Sequence, residues 1–537
     1  MSGTESVDVV IVGGGVSGLA AAKKLLDAKC AQEEPLKVVI LEARDRLGGR
    51  IHTVSWDDVA ASEQYTKRET ALDLGASFVH GVSKRNPLSQ VCHEVDDTPS
   101  QLRMRCGTPD TVDQIPLKLD DENEIEDSDM SFYMGAQGRR VAQAESRRLD
   151  KLVGVVLTRL HKLAVEGPID VDESSSPALA FCDEDGNGPL KADLWKGISA
   201  DDRQEVMKLI RIMDESSGAT LDSLSLRYWD FGVEDFSGGD ALVSHGYSQL
   251  VEWLQRQIEV KGADVRLSAP VDKIELLDQD DLIAAHYKDE QDNSKRINAR
   301  YLICSLPLGV LQQKQPDVSF DPALPPRRKA ALGRLGFGLL NKVVLKYNKI
   351  WWPKGAQWFN VLPPPASAQQ AADETSPLAK TVSQSCLLLH NYSFVASKQS
   401  RSTAMLVVYL GPPLSYEVEK YTDEEVGRAL HNVISKAMSS FGAAADPIET
   451  FVTRWHSDPR ARGSYSHLPP GSSPLDMIEA SSSLWEGKLG FCGEHTCHAN
   501  FASVHGAWMS GVREAERVLD CIGEDEEEDD DESSDDD

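Results

Sequence analysis

The strongest constraint on the fold lies between residues 7 and 42. Residues 7–12 (VDVVIV) are apolar and rich in β-branched side chains, as a buried parallel strand requires. The glycine run Gly13-Gly14-Gly15-Val16-Ser17-Gly18 follows, then the helix-favouring residues 19–26, then a second apolar run, 37–41, that stops at Glu42. Each glycine of the repeat has its own task. Gly13 allows a tight turn, Gly15 lets the backbone approach a pyrophosphate, and Gly18 permits close helix–strand packing. A helix start brings free N–H groups and positive partial charge to the phosphates. Glu42 is placed to accept hydrogen bonds from a ribose. A lone glycine repeat is a weak signal, and its bland alternative is a structural turn. Strand, repeat, helix, strand and acid in this order specify a βαβ unit that binds an adenine dinucleotide.

The rest of the 537 residues has room for two to four domain-sized units. Strands are expected at 263–267, 271–275 and 301–306, and helices at 139–163 and 512–522. Residues 120–129 and 168–188 read as loops, and 363–379, rich in Pro, Ala, Gln and Ser, as a mobile insertion. The net charge is −30, twelve charges of it in the tail 524–537, which is expected to be disordered. Such a surface is a poor partner for nucleic acid and attracts cations. No apolar run is long enough for a bilayer, residues 1–8 have no leader pattern, and the last residues carry no targeting signal. A cytoplasmic location is expected, with the nucleus left open. Nine scattered cysteines without a CxxC pair suit reduced thiols. The cluster of Cys492, His495, Cys497 and His498 is either a metal site or part of a glycine-rich loop. Ligand spacing favours the loop, so no metal is expected.

Two further stretches favour anions. Gly48 and Gly49 stand between Arg46 and Arg50 directly after Glu42, which suggests a second close approach of backbone and guanidinium to a phosphate, and residues 490–515 read as strand, glycine loop and helix start. With these, the blocks LEARDRLGGR (41–50), DLGASFVHG (73–81), SLPLGVL (305–311), FGLLNKVVL (337–345), WHSDPRARGSYS (455–466), FCGEHT (491–496) and SVHGAWMSGVREA (503–515) resemble the flavin-containing amine oxidases. That superfamily includes polyamine oxidases, monoamine oxidases and flavin-dependent histone lysine demethylases. The likeness runs from residue 7 to about 522 and is weakest between 100 and 220.

The resemblance implies an α/β fold with two units: a discontinuous Rossmann-like FAD-binding domain (1–95, 240–310 and 455–523) and a substrate-binding domain of mixed sheet flanked by helices (96–239 and 311–454). It implies FAD contacts from Gly13, Gly15, Ser17, Gly18, Glu42, Arg44, Gly49 and Arg50. Ser77, Phe78, Val271, Glu494, Ser503 and Val504 are implied to join them. Some relatives attach flavin through a cysteine; here that position is Ser464, so FAD is expected to be held non-covalently.

For catalysis the resemblance points to Lys342, His80, Tyr465 and Trp455. A lysine inside an apolar strand is costly if unpaired, and desolvation lowers its pKa. Taken by itself Lys342 is equally a surface lysine on an edge strand; in the family the matching lysine holds a water at flavin N5. His80 is either structural or a substrate-facing hydrogen-bonding group. Tyr465 would form one wall of an aromatic amine cage and Trp455 would support Lys342, while Ser503 stands where many relatives have a second aromatic. Asp230, Glu234, Asp235 and Asp240 line either a polycation channel or an exposed loop. The resulting expectation is an FAD-dependent oxidoreductase acting on a CH–NH group with oxygen as acceptor. Its substrate would be spermine, spermidine or an N-acetylated polyamine, its products a shorter polyamine, an aminoaldehyde and hydrogen peroxide. The alternative is a histone-demethylase-like enzyme, against which stands a flavin motif that begins at residue 7. Monomer and homodimer both stay open, and no membrane partner is expected.

Overall fold

The computed structural model describes residues 5–28, 35–57, 69–91, 131–135, 143–166, 194–211, 217–229, 231, 236, 240–243, 246–277, 281–315, 317–363, 376–398 and 403–534. Strand Glu5–Val12 lies at the centre of an eight-stranded sheet, where Val9, Val10 and Ile11 are fully buried. It pairs in parallel with Ser294–Cys304 on one side and Val38–Leu41 on the other. Asp264–Arg266 and Leu489–Phe491 extend this parallel core. Strands Val271–Leu277 and Leu282–Lys288 add an antiparallel meander, and Ser319–Asp321 closes that edge. One sheet is therefore assembled from the start, middle and end of the chain. Helix Val16–Asp27 packs against Ser248–Glu259 and the closing helix Val504–Ser534. Its row of alanines, Ala20 to Ala22, allows that close approach.

A second sheet has six strands in the order Glu449–Val452, Asn341–Lys346, Met405–Leu410, Leu387–Asn391, Trp358–Leu362, Ser131–Gly135. All neighbours are antiparallel except the last pair. Alternation of side chains divides its two faces. Val343, Leu345, Val408, Phe359 and Leu389 join the core with helices Asp423–Ala437 and Pro377–Gln384. Lys342 and Val344 lie on the opposite face, where Lys342 stands across from Tyr409 and Tyr409 across from Leu388. The mixed α/β class with a helix-flanked mixed sheet is the one expected from sequence.

The expected strands appear as Asp264–Arg266, Val271–Leu277 and the second half of Ser294–Cys304. The last ends at Cys304 because Ser305 turns back to donate to the carbonyls of Val12 and Gly13. The helix expected at 139–163 runs Gln143–Glu166. The closing helix extends well beyond 512–522, from Val504 to Ser534, and so enters the tail expected to be disordered. Once a packed segment nucleates a helix, each added residue gains a hydrogen bond at small entropic cost. Loops 120–129 and 168–188 and residues 364–375 of the insertion lie outside the described residues. Among described residues, the end of that insertion is ordered and opens helix Pro377–Gln384, with Pro at its first turn. No helix of the described residues is long and apolar enough to cross a membrane.

The second sheet's buried face predicts a specific cost. Leu345 is fully buried, so Leu345→Ala should destabilise the protein by about 3 kcal/mol, read as a lower denaturant midpoint with unchanged slope.

Candidate active site

A cavity of about 620 Å³ runs between the two sheets, and both ends of the chain contribute to its wall. At one end the glycine repeat behaves as its spacing requires. Gly13 has a φ of +105°, and a Cβ at Gly18 would fall 2.2 Å from the Gly13 carbonyl oxygen. A Cβ at Gly15 would meet nothing within 4 Å, so backbone there is bare toward the cavity. Glu42 is buried and fastens the turn. Its Oε2 accepts from Gly14 N at 2.7 Å and its Oε1 from Arg44 N at 2.8 Å. A carboxylate has about four acceptor sites, so two are left for a ligand.

Arg50 donates to Ser464 O at 2.8 Å and to Glu494 Oε1 at 2.9 Å. Glu494 also accepts from Ser466 Oγ at 2.6 Å and Ala502 N at 2.9 Å. Burial pushes its carboxyl up, but Arg50, His495 and Ser466 outweigh burial and hold it below the ordinary carboxylate range. Arg44 lines the cavity and pairs with Asp458 at 2.9 Å. Ser17, Gly49, Ser77, Phe78, Val271, Ser503 and Val504 line the cavity as well. Arg46 does not: its guanidinium donates to the carbonyls of Leu47, Gly49 and Ile51 and braces the second glycine turn. It corrects the reading of Arg46 as a phosphate ligand. Gly18 also lies off the cavity wall and acts through packing.

At the other end stands Lys342. Its Nζ donates to Asp73 O at 2.8 Å, Gly75 O at 2.6 Å and Ser77 Oγ at 2.5 Å, so three protein acceptors surround it. The residue is only 4% exposed, which removes the reading as a surface lysine. Burial lowers its pKa to about 8, with the Asp73 carboxylate opposing that shift. Asp73 is itself raised to about 6 by burial, although Thr53 and Tyr247 N stabilise its charged form. Trp455 is buried with Leu339 and Ala461, and its N donates to Asn341 Oδ1 at 3.2 Å, next to Lys342 in the chain. Tyr465 lines the cavity from strand Tyr465–His467, and its ring is backed so closely by Gly218 that a Cβ there would sit 2.9 Å from Cε2. The Ser464 hydroxyl donates to Leu340 O at 2.8 Å and accepts from Leu340 N at 3.0 Å, a structural role.

His80 marks the mouth. Its side chain is 58% exposed, and Nδ1 lies 2.8 Å from Asp240 Oδ2. Asp240 also accepts from Gly81 N at 3.2 Å. Burial pushes Asp240 up, but His80 outweighs burial and holds its carboxyl low. Asp230, Glu234 and Asp235 lie outside the described residues. Cys492, Cys497 and His495 are buried in the glycine loop, where burial pulls His495 down to about 4. Among the described residues no three His, Cys, Asp or Glu side chains cluster as a metal site.

Sequence reasoning missed the wall made by Gln357, Trp358 and Tyr409, with His390 buried behind Trp358. Trp358 and His390 stack with centroids 4.1 Å apart, and Tyr409 lies 5.7 Å from Trp358. It missed Asp73 as part of the lysine cradle too. The aromatic partners meet through cross-strand register and Asp73 reaches Lys342 from another sheet, and the one signal in the sequence was an aromatic or polar residue interrupting an apolar strand.

A family model described as flavin containing amine oxidoreductase matches residues 16–519. Polyamine oxidase 5 of Oryza sativa is 28% identical over 96% of this chain and 87% of its own length. Polyamine oxidase 2 of Arabidopsis thaliana is 28% identical over 97% and 90%. Lysine-specific histone demethylase 1 homolog 2 of Arabidopsis thaliana is 27% identical over 96% of this chain, which spans 59% of that relative's length.

The cradle at the glycine repeat is testable without any turnover. Gly18→Ala puts a methyl group against the Gly13 carbonyl, and overpacking of this kind costs about 1–3 kcal/mol. Dinucleotide affinity should fall roughly tenfold to a hundredfold, measured by titrating the ligand-free protein.

Proposed function

The chain belongs to the flavin containing amine oxidoreductases, with FAD as its cofactor, and from that premise we propose that it is a polyamine oxidase. Its reaction would cleave a secondary-amine C–N bond of spermine, spermidine or an N-acetylated polyamine. The amine is oxidised to an imine, water splits the imine into a shorter amine and an aminoaldehyde, and oxygen becomes hydrogen peroxide. The residues present fit FAD: a bare backbone at Gly15, the helix start beyond it, and Glu42, Arg50 and Glu494 along an elongated cavity. Bound there, FAD supplies the acceptor for the hydride that leaves the amine carbon.

One observation carries the polyamine reading: the His80–Asp240 pair stands at the mouth of the cavity that also contains Lys342 and Tyr465. A carboxylate held there attracts the ammonium end of a polycation, while the apolar wall beyond it suits the methylene arm. The negative surface of the chain concentrates such substrates. Lys342 acts on the reacting nitrogen by charge. While protonated it repels a cationic amine beside it, and that repulsion is lost when Lys342 gives up its proton. Tyr465 orients that amine through its ring face, and Trp455 steadies the Lys342 strand through Asn341.

The histone-demethylase relatives and the small Ser503 in the cavity wall keep a second reading in view, that of a methyl-lysine peptide as substrate. Peroxide release from the FAD-loaded protein given spermine, spermidine, N1-acetylspermine, benzylamine and a dimethyl-lysine histone peptide separates the two. Polyamine turnover well above the last two compounds is expected; turnover of the peptide alone overturns the proposal.

A pH series tests Lys342. Its pKa is lowered, so it loses its proton as pH rises through about 8 rather than above 10. Relief of the like charge should raise kcat/KM across that window. Lys342→Met should lower kcat about a hundredfold and remove the rise near pH 8.

A further inference from the structure

The wall of the second sheet contains a polar group that the reaction above does not use. Gln357 and Trp358 stand at the start of strand Trp358–Leu362 and line the cavity. Register sets Trp358 opposite His390, and the two rings stack with planes 10° apart. His390 is fully buried, and burial pulls it down to about 3, so the ring is neutral. Its Nε2 lies 3.2 Å from Gln357 Nε2, an amide nitrogen that can only donate. With Nε2 so engaged, Gln357 Oε1 has no hydrogen-bond partner among the described residues, in a side chain only 4% exposed. Because Gln357 lines the cavity, the open side of that acceptor is the cavity itself. A nearly buried, unpaired acceptor is costly, and a ligand N–H would relieve it.

Charge decides which N–H. Among the described residues four acidic side chains line the cavity. Glu42 and Glu494 serve the cofactor end, and Asp317 is paired with Arg462 at 2.9 Å. Asp240, beside His80, is the carboxylate left for a substrate cation. Among the described residues the Gln357 wall has none. A cation stands on the same face: Lys342 Nζ lies 5.2 Å over the Tyr409 ring, itself the neighbour of Trp358. A second ammonium at Gln357 would meet one neutral acceptor and a like charge, too little to offset its desolvation. An amide N–H needs a single acceptor and carries no charge. Between the two poles lies Phe78, with its ring 6.1 Å from His80 and 6.3 Å from Trp358, an apolar surface for methylenes.

We propose that Gln357, braced by His390, is a specificity-determining subsite for the uncharged, amide-bearing end of an N-acylated amine, while His80 and Asp240 hold its ammonium end. This rests on the polyamine oxidase reading and assigns the cavity a polarity: one charged pole at the mouth, one neutral pole at the sheet.

The test is the ratio of kcat/KM for N1-acetylspermine to that for spermine, by peroxide release from the FAD-loaded full chain. The wild-type ratio should exceed about tenfold, the worth of one buried hydrogen bond and an avoided unpaired charge. Gln357→Glu puts a carboxylate in the same place and should lower the ratio at least about tenfold, through a gain on spermine. Gln357→Met keeps the length and removes the acceptor; it should bring the ratio toward one by a loss on the acetylated substrate alone. Flavin content and thermal midpoint show whether each variant folds, and the methionine variant decides if the buried glutamate does not. A methionine variant with the wild-type ratio overturns the subsite while leaving the polyamine reading intact. A wild-type protein that oxidises neither polyamine but turns over a dimethyl-lysine peptide overturns both.

Discussion

The whole arrangement depends on where the Lys342 ammonium goes. It leaves one sheet and ends on carbonyls of residues 73 and 75 and the hydroxyl of Ser77, which belong to the segment crossing between the sheets. The same segment is tied to strand Thr53–Asp57 and to the turn before helix Ser248–Glu259. Asp73 accepts from Thr53 and from Tyr247 N, at the start of helix Ser248–Glu259. A buried polar network is favourable only when every member is satisfied, and here the lysine's three donors each have an acceptor. One contact thus ties the second sheet to the segment that supplies Ser77 and Phe78 to the cavity wall, and holds an amine of lowered pKa in that wall.

The parallel sheet supplies the complementary half. Its strands bring glycine turns from residues 13–18, 48–49 and 493 to one edge, where backbone lies bare against an elongated cavity. Carboxylates there are already engaged: Glu42 by backbone N–H groups and Glu494 by Arg50. At the Lys342 end the described wall is mostly aromatic and aliphatic, and its charged groups include Asp240, beside His80, and the cradled lysine. A site built this way excludes water and leaves few groups that compete for a proton, which is what oxidation of a neutral amine needs.

Legibility in the sequence followed the range of the interactions. The nucleotide unit was readable because its parts are local: a strand, a turn needing positive φ at Gly13, a helix start and Glu42 all lie within about forty residues. Lys342, Tyr465, Trp455 and His80 came from resemblance, and the structure brings all four to one cavity or its immediate support. What stayed hidden was non-local. Arg46 looked like a phosphate ligand because spacing does not reveal that three nearby carbonyls claim its guanidinium. The stacking of Trp358 on His390 depends on an antiparallel register across residues 358–390, with an insertion between, and no local pattern encodes it. The acidic tail was read from composition alone, whereas the packed helix before it gives it something to extend.

The most direct test of the account is anaerobic mixing of the FAD-loaded protein with a polyamine while the flavin absorbance is followed. Rapid and complete bleaching by spermine or N1-acetylspermine, reversed by admitting air, is the result the account predicts. A flavin that stays oxidised with every polyamine, in protein that retains its cofactor, would contradict it.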